Sequence, residues 1–189
     1  IMNLKPNNTG WIEVICGSMF SGKTEELMRR IRRAEIAKLS VSIYKPKIDS
    51  RYSDSHIVSH NKTKMISYSI NKPADIIKYS KKDEVIGIDE TQFFDNSIVI
   101  VCKELASRGK RVIAAGLDTD YQGLPFGPMP YIMCEADYLD KLRAICIICG
   151  NPASYTQRKS DHLEQILIGE LDKYEARCRN CFKPPDMTK

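Results

Sequence analysis

The chain has 189 residues, of which 42% are hydrophobic, and a net charge of +5. That is apolar material enough for a core, which excludes a disordered chain, and no run nears the roughly 18 apolar residues of a membrane span. The charge suits a polyanionic ligand but is too mild to imply DNA binding by itself. No basic-then-apolar leader opens the sequence, so a cytoplasmic protein is expected. Its seven cysteines then read as thiols or metal ligands rather than a disulfide framework. Residues 1–9 and 184–189 are expected to be tails.

The first apolar run, 11–16, reads as a buried strand. Directly after it stand Gly17, Ser18, Met19, Phe20, Ser21, Gly22, Lys23 and Thr24, the G-x-x-x-x-G-K-T pattern of a phosphate-cradling P-loop. The glycines let the backbone fold around a phosphate chain and point its N–H groups inward. Lys23 supplies a point charge to the β- and γ-phosphates, and Thr24 a hydroxyl to Mg²⁺. Helical periodicity follows over 24–39, with Leu27, Ile31 and Ala34 on one stripe. The helix N-terminus adds its positive dipole end behind the glycine loop. Arg29, Arg32 and Arg33 project from the other side and read as a solvated basic face, with Arg30 flanking the stripe.

The run 41–46 reads as a second strand, stopped by Pro46. Residues 49–64, with His56 and His60, are polar and without periodicity, and read as a long loop of the kind that serves as a lid. A short strand is expected over 65–70 and a helix over 73–79, with Pro73 in its first turn. The run 85–90 is apolar until it ends in Asp89 and Glu90, as does a strand buried on both faces of a parallel sheet. A helix over 96–108, closed by Gly109, and a strand over 112–117 continue the alternation, which means an α/β parallel sheet. The P-loop, Asp89-Glu90 and Leu117-Asp118 all fall at strand carboxyl ends, where such sheets bind ligands. Cys16, Cys102 and Cys134 sit in strand- or helix-like contexts and read as buried thiols.

Two sets of residues carry chemistry beyond the P-loop. Asp89 stands where an acid would hold Mg²⁺ across from Thr24, and Glu90 could take a proton from an attacking hydroxyl. An Asp-Glu pair after a buried strand also marks P-loop ATPases that polarise water, so the pair alone leaves kinase and ATPase open. Cys146/Cys149 and Cys178/Cys181 form two C-x-x-C pairs, each able to present two thiolates to one tetrahedral Zn²⁺. Redox pairs are the alternative, but the doubling favours zinc. The stretch 150–177 between the pairs exceeds the usual ribbon spacing of about 15–20 residues, so it is expected to do more than close the knuckles. Tyr155, Thr156, the segment 165–169 and Tyr174 offer groups that could hold a flat base there, with a plain zinc-ribbon hairpin as the equal alternative.

Taken together, G-x-M-F-S-G-K-T, a strand ending D-E-x-Q-F and the two C-x-x-C pairs resemble the type II, cytosolic thymidine kinases from Ile12 to Phe182. The resemblance implies a RecA-like P-loop domain over 10–142, with helices on both faces of a parallel sheet. It adds a small zinc-ribbon-like lobe over 143–183 that carries a lasso loop. It implies transfer of the ATP γ-phosphate to the 5′-hydroxyl of thymidine, with Mg²⁺ and a structural Zn²⁺. Gly17 to Thr24 would hold the triphosphate and Mg²⁺, with Lys23 and Glu90 catalytic and Glu90 the proton acceptor. Asp89, Thr91 and Gln92 would lie against the phosphates, and Asp49, Ser50 and Arg51 would approach them from the long loop. Met19, Phe93, Leu117, Tyr121 and Phe126 would wall the sugar and base. Thr156, Gln165, Ile166, Leu167, Ile168, Gly169 and Tyr174 would close over thymine. The family pattern also implies a homotetramer inhibited by thymidine triphosphate, with thymidine and ATP rather than nucleic acid or membrane as partners. Ser18, Thr91, Gln165 and Phe182 depart from the commonest family residues, and none of them is the proposed base or a zinc ligand. A nucleic-acid motor, the other class considered, would need a basic groove with stacking aromatics. The aromatics here fall near the P-loop and lasso instead.

Overall fold

The computed structural model describes residues 9–47, 56–58, 64–159 and 173–184. Strand β1 (Trp11–Gly17) leads through the glycine loop into helix α1 (Lys23–Ile36), followed by β2 (Val41–Pro46). Three short strands come next, β3 (His56–Val58), β4 (Lys64–Ile66) and β5 (Tyr68–Ile70), then α2 (Ala74–Tyr79) and β6 (Val85–Ile88). A single 3-10 turn (Thr91–Phe93) precedes α3 (Ser97–Ser107), β7 (Arg111–Gly116), α4 (Met129–Glu135) and β8 (Tyr138–Leu142). Four short strands follow among the described residues: β9 (Ala144–Ile145), β10 (Pro152–Ala153), β11 (Tyr155–Arg158) and β12 (Tyr174–Arg177).

Six strands form one sheet in the order β5-β2-β6-β7-β1-β8, every pair parallel. The continuous apolar runs conceal a strict alternation. Ile12, Val14 and Cys16 of β1, Ile86 and Ile88 of β6, and Val112 and Ala114 of β7 face a core shared with α2, α3 and α4, through Ile76, Ile98, Leu105 and Met129. Ile15, Val85, Ile113 and Ala115 face the opposite way, onto Leu27, Met28, Ile31 and Ala34 of α1. Each large aliphatic buried this way contributes about 1.5–3 kcal/mol. Sequestering both faces is why β6 and the 112–116 stretch of β7 carry no polar residue at alternate positions, whereas β2 buries Ser42 and Lys45. The parallel arrangement puts the loops after β1, β6 and β7 on one edge.

The exception inside β1 is Glu13, only 3% exposed. Arg111 Nε reaches its carboxylate at 2.6 Å and Arg30 Nη1 at 2.7 Å, and Trp11 Nε1 donates to it at 2.7 Å. Arg30 also pairs with Glu26 at 2.8 Å and Asp140 at 2.6 Å. Arg30 is therefore buried rather than part of the basic face, while Arg29, Arg32 and Arg33 are exposed as expected.

Several expectations are corrected. The stretch read as a structureless loop contains β3, which pairs antiparallel with β4 through His56↔Ile66 and Val58↔Lys64. The strand expected over 65–70 is two strands separated by Ser67. Helix α1 stops at Ile36, where Lys38 turns the chain with φ of 61°. Cys16 and Cys102 are buried, but Cys134 is exposed on α4. Helix α4 and strand β8 were not anticipated. Strand β8 pairs with β1 alone, lies mostly exposed at the sheet edge, and so lacks the apolar signature of the inner strands. Asp49, Ser50, Arg51, His60 and the segment from Gln165 through Ile166, Leu167 and Ile168 to Gly169 lie outside the described residues.

Candidate active site

The turn after β1 is built for a tight approach. Gly17 has φ of 144°, and a Cβ there would stand 2.4 Å from the Leu142 carbonyl oxygen. Gly22, with φ of 85°, starts α1, and Glu26 donates its N–H to the Gly22 carbonyl at 3.0 Å. Between the glycines Phe20 takes φ of 65° without being glycine. Lys23 Nζ donates to the Ser18 carbonyl at 2.8 Å, which folds the lysine back over the loop. Burial pushes its ammonium below the ordinary range, while the negative charges of Glu90, Asp89 and Asp118 work the other way. Those three acids thus share the lysine's surroundings. Thr24 Oγ1 lies 3.4 Å from Asp89 Oδ2. Two hard oxygens facing each other at the base of a phosphate loop suit a Mg²⁺ ion with retained waters.

Strand β6 delivers Asp89 and Glu90. Asp89 is buried and its Oδ1 accepts the Glu90 N–H at 3.0 Å. Glu90 holds φ of 50°, in the left-handed region. Such a non-glycine outlier persists only where its surroundings over-determine it, and outliers of this kind cluster at functional sites. Gln92 Nε2 donates to Glu90 Oε2 at 2.5 Å, and Gln92 Oε1 accepts the Leu117 N–H at 3.0 Å. The fully buried Gln92 thereby ties the loop after β6 to the end of β7. Asp118, next to Leu117, pairs with Lys141 of β8 at 2.6 Å.

The loop after β7 returns beside these acids. Gly127, with φ of 50°, lets it pass where a Cβ would meet the Gln92 carbonyl oxygen at 2.3 Å. Phe126 then stands edge-on to Phe93, ring centres 5.7 Å apart. Tyr121 lies under the Arg158 guanidinium, 3.5 Å from its ring centre, and Arg158 Nη2 donates to the Tyr174 hydroxyl at 2.9 Å. Met19 donates its N–H to Thr156 Oγ1 at 3.0 Å. Of the residues expected around a substrate, Phe93 meets Phe126, Tyr121 meets Tyr174 through Arg158, and Met19 meets Thr156, while Leu117 is tied by its N–H to Gln92. Arg158 and Lys141 escaped the sequence reading. Each is a lone cation in a short strand, and only the fold brings its partner near.

The thiols of Cys146, Cys149, Cys178 and Cys181 lie within 4.8 Å of one another, Cys149 Sγ being 3.5 Å from Cys178 Sγ. That is too long for a disulfide, whose S–S bond is about 2.05 Å. It matches the ~3.8 Å between ligands on a tetrahedron with Zn–S of about 2.3 Å. Burial pushes the Cys146 thiol up, but the Cys178, Cys149 and Ile148 backbone N–H groups outweigh it and bring the thiol down to about 6. The neighbouring thiols push Cys181 the other way, up to about 12, so it is the gathering of four thiols within 4.8 Å that makes a donor set able to hold zinc. Asn151 Nδ2 donates to Cys149 Sγ at 3.3 Å, a second-layer contact on the sulfur.

The family model described as thymidine kinase matches residues 10–182. The chain belongs to the thymidine kinase family. The thymidine kinase of Rhodothermus sp. (strain ITI 518) is 51% identical over 181 residues, 96% of this chain and 85% of the relative. That of Bacteroides fragilis is 50% identical over 174 residues, 92% of this chain and 87% of the relative. Among solved structures, domain III of the Thermotoga maritima replication initiation protein DnaA is a much looser likeness. It has a TM-score of 0.44 and 19% identity over 70% of this chain and 55% of its own. Within the thymidine kinase family, the P-loop, Asp89-Glu90 and the four cysteines all lie inside the matched span. Among the described residues no helix is long and apolar enough to cross a membrane.

Proposed function

We propose that this chain phosphorylates the 5′-hydroxyl of thymidine with Mg-ATP, and that Glu90 is the general base. The observation carrying the proposal is the placement of Glu90 at the end of β6, held by Gln92 and sharing the surroundings of the P-loop lysine. The 5′-oxygen attacks the γ-phosphorus, the bond from that phosphorus to the ADP oxygen breaks, and the hydroxyl proton passes to the Glu90 carboxylate. Gly17 to Thr24 wrap the triphosphate with backbone N–H groups, and Lys23 leaves the Ser18 carbonyl to meet the β- and γ-phosphates. Thr24 and Asp89 would hold Mg²⁺, which would supply charge neutralisation at the phosphates. Asp49, Ser50, Arg51 and Thr91 complete the phosphate side, while the Gln92 amide, committed to Glu90 and the Leu117 N–H, holds the base from behind. Met19, Phe93, Leu117, Tyr121, Phe126, Thr156, Tyr174 and the 165–169 segment enclose the nucleoside. Cys146, Cys149, Cys178 and Cys181 hold one Zn²⁺.

The assembly is a homotetramer. Supporting association are apolar side chains left exposed on α3 (Ile100), α4 (Tyr131) and the edge strand β8 (Leu139), and light scattering checks the count. Thymidine triphosphate competes for the nucleoside site as end-product inhibitor. The deciding experiment follows ADP release from Mg-ATP in three reactions: no addition, thymidine, and single-stranded DNA. ADP with thymidine alone, matched by thymidine monophosphate, supports the proposal. DNA-stimulated ADP release indifferent to thymidine overturns it.

A further inference from the structure

Building on the phosphate-donor reading of the P-loop, we infer that the four-cysteine lobe braces that loop, with Thr156 as the positioning residue. The bound metal then sets nucleotide affinity as well as the lobe's own fold. Four consecutive P-loop residues rest on the lobe or the strand that enters it. Gly17 packs against the Leu142 carbonyl, where a Cβ would stand at 2.4 Å. Ser18 Oγ, fully buried, faces the Ala153 carbonyl at 3.4 Å. Met19 donates its N–H to Thr156 Oγ1 at 3.0 Å, in a contact where Thr156 is 2% exposed. Phe20 packs on the lobe's small core of Ala144, Cys146, Ala153, Ala176 and Cys178, two of which are thiols of the metal set.

These contacts form one continuous path. Thr156 of β11 pairs with Ala176 of β12, and Cys178 follows two residues later. The Ile147 N–H, between the first two cysteines, donates to the Ala176 carbonyl at 3.1 Å. A metal gripping Cys178 therefore fixes β12, β12 fixes β11, and Thr156 fixes Met19. The loop needs such support because Phe20 holds a left-handed conformation that its own backbone disfavours. A phosphate cradle works only if its N–H groups are already aimed, so loosening the brace loses nucleotide affinity.

Thr156→Val tests the brace. It keeps the side-chain shape and a γ-methyl, removes the acceptor, and leaves the Met19 N–H without that partner. With zinc-loaded protein, calorimetric titration of Mg-ADP is expected to show about tenfold weaker binding, with Thr156→Ser within about twofold of wild type. Wild-type affinity in Thr156→Val overturns the brace. A second measurement needs no variant: amide hydrogen exchange of the wild type before and after zinc removal by a chelator. Exchange rising together at 174–177 and 17–20 supports the path, and exchange rising at 174–177 alone refutes it. Failure of zinc-loaded wild type to bind Mg-ADP at all counts against the donor-site reading, and the exchange comparison still judges the brace.

Discussion

Replacing Gln92 by Leu isolates the device that aims Glu90. Gln92 is 2% exposed, accepts the Leu117 N–H at 3.0 Å and donates to Glu90 Oε2 at 2.5 Å. A backbone N–H can only donate, so the amide oxygen is fixed on Leu117 and the NH₂ must face the carboxylate. Leucine fills nearly the same volume and makes neither bond. A hydrogen bond to a charged group contributes ~1.5–3 kcal/mol. If most of that positions the base, kcat falls by about 10–100-fold, or ~1.4–2.7 kcal/mol in the barrier. The KM for Mg-ATP stays near wild type, because the phosphate contacts are untouched. The Leu117 N–H left behind lowers stability by a further ~1–3 kcal/mol. Gln92→Glu is the harsher test: its carboxylate can still accept from Leu117, but a second buried acid beside Glu90 repels it, so stability and turnover are both expected to fall. Initial rates of thymidine monophosphate formation at saturating substrates, paired with thermal melts, read both. A Gln92→Leu enzyme turning over within about twofold of wild type would refute the positioning argument.

Glu90→Gln is expected to cut kcat by roughly 10²–10⁴-fold with Mg-ATP affinity retained, since only the proton transfer is lost; titration of Mg-ATP together with initial rates checks it. Cys178→Ser is expected to release zinc and raise the thymidine KM, as structural zinc contributes ~10–16 kcal/mol to small sites. Metal analysis finding less than about half a zinc per wild-type chain removes the assignment. Acid stability should follow the carboxylates around Arg30. Hydrogen bonding from Arg29, then from Arg30, holds Glu26 down to about 2, from an ordinary 4.5. For Glu13, burial alone would raise the carboxyl, but hydrogen bonds from Arg111 and Trp11, with the Arg111 charge and Arg30, outweigh it and hold it low. Both groups have folded values below their unfolded ones. Glu26 stabilises fully above about pH 4.5 and loses this as pH falls toward 2, and the contribution of Glu13 drains in the same direction below its ordinary range. Glu13→Gln should flatten the loss of melting temperature across that range, and an unchanged slope in the variant denies the cluster its role.

What could be read from the sequence was whatever is local along the chain. The P-loop is one contiguous turn whose glycines, lysine and threonine each have a separate reason to be there. The four inner strands 11–16, 41–46, 85–88 and 112–116 stand out because both of their faces are buried. Strands β8 and β3 did not stand out: β8 is an exposed edge strand with no apolar pattern, and β3 is only three residues long. The same division runs through the site. Asp89 and Glu90 could be assigned beforehand as acids ending a strand. That Gln92 would bridge Glu90 to Leu117, or Arg158 lie between Tyr121 and Tyr174, depends on loops meeting after the sheet is assembled.

The backbone at Glu90 and Phe20 runs against local preference. Each holds a left-handed conformation at φ of 50° and 65°, which disfavours a side chain by roughly 1–2 kcal/mol. Glycine would relieve both positions. At position 90 glycine removes the proposed base, and at position 20 it removes the ring that packs onto the lobe core. The roles proposed above account for the strain, since both side chains then act where only that backbone puts them. Gln92 on one side and the cysteine lobe on the other supply the contacts that hold it.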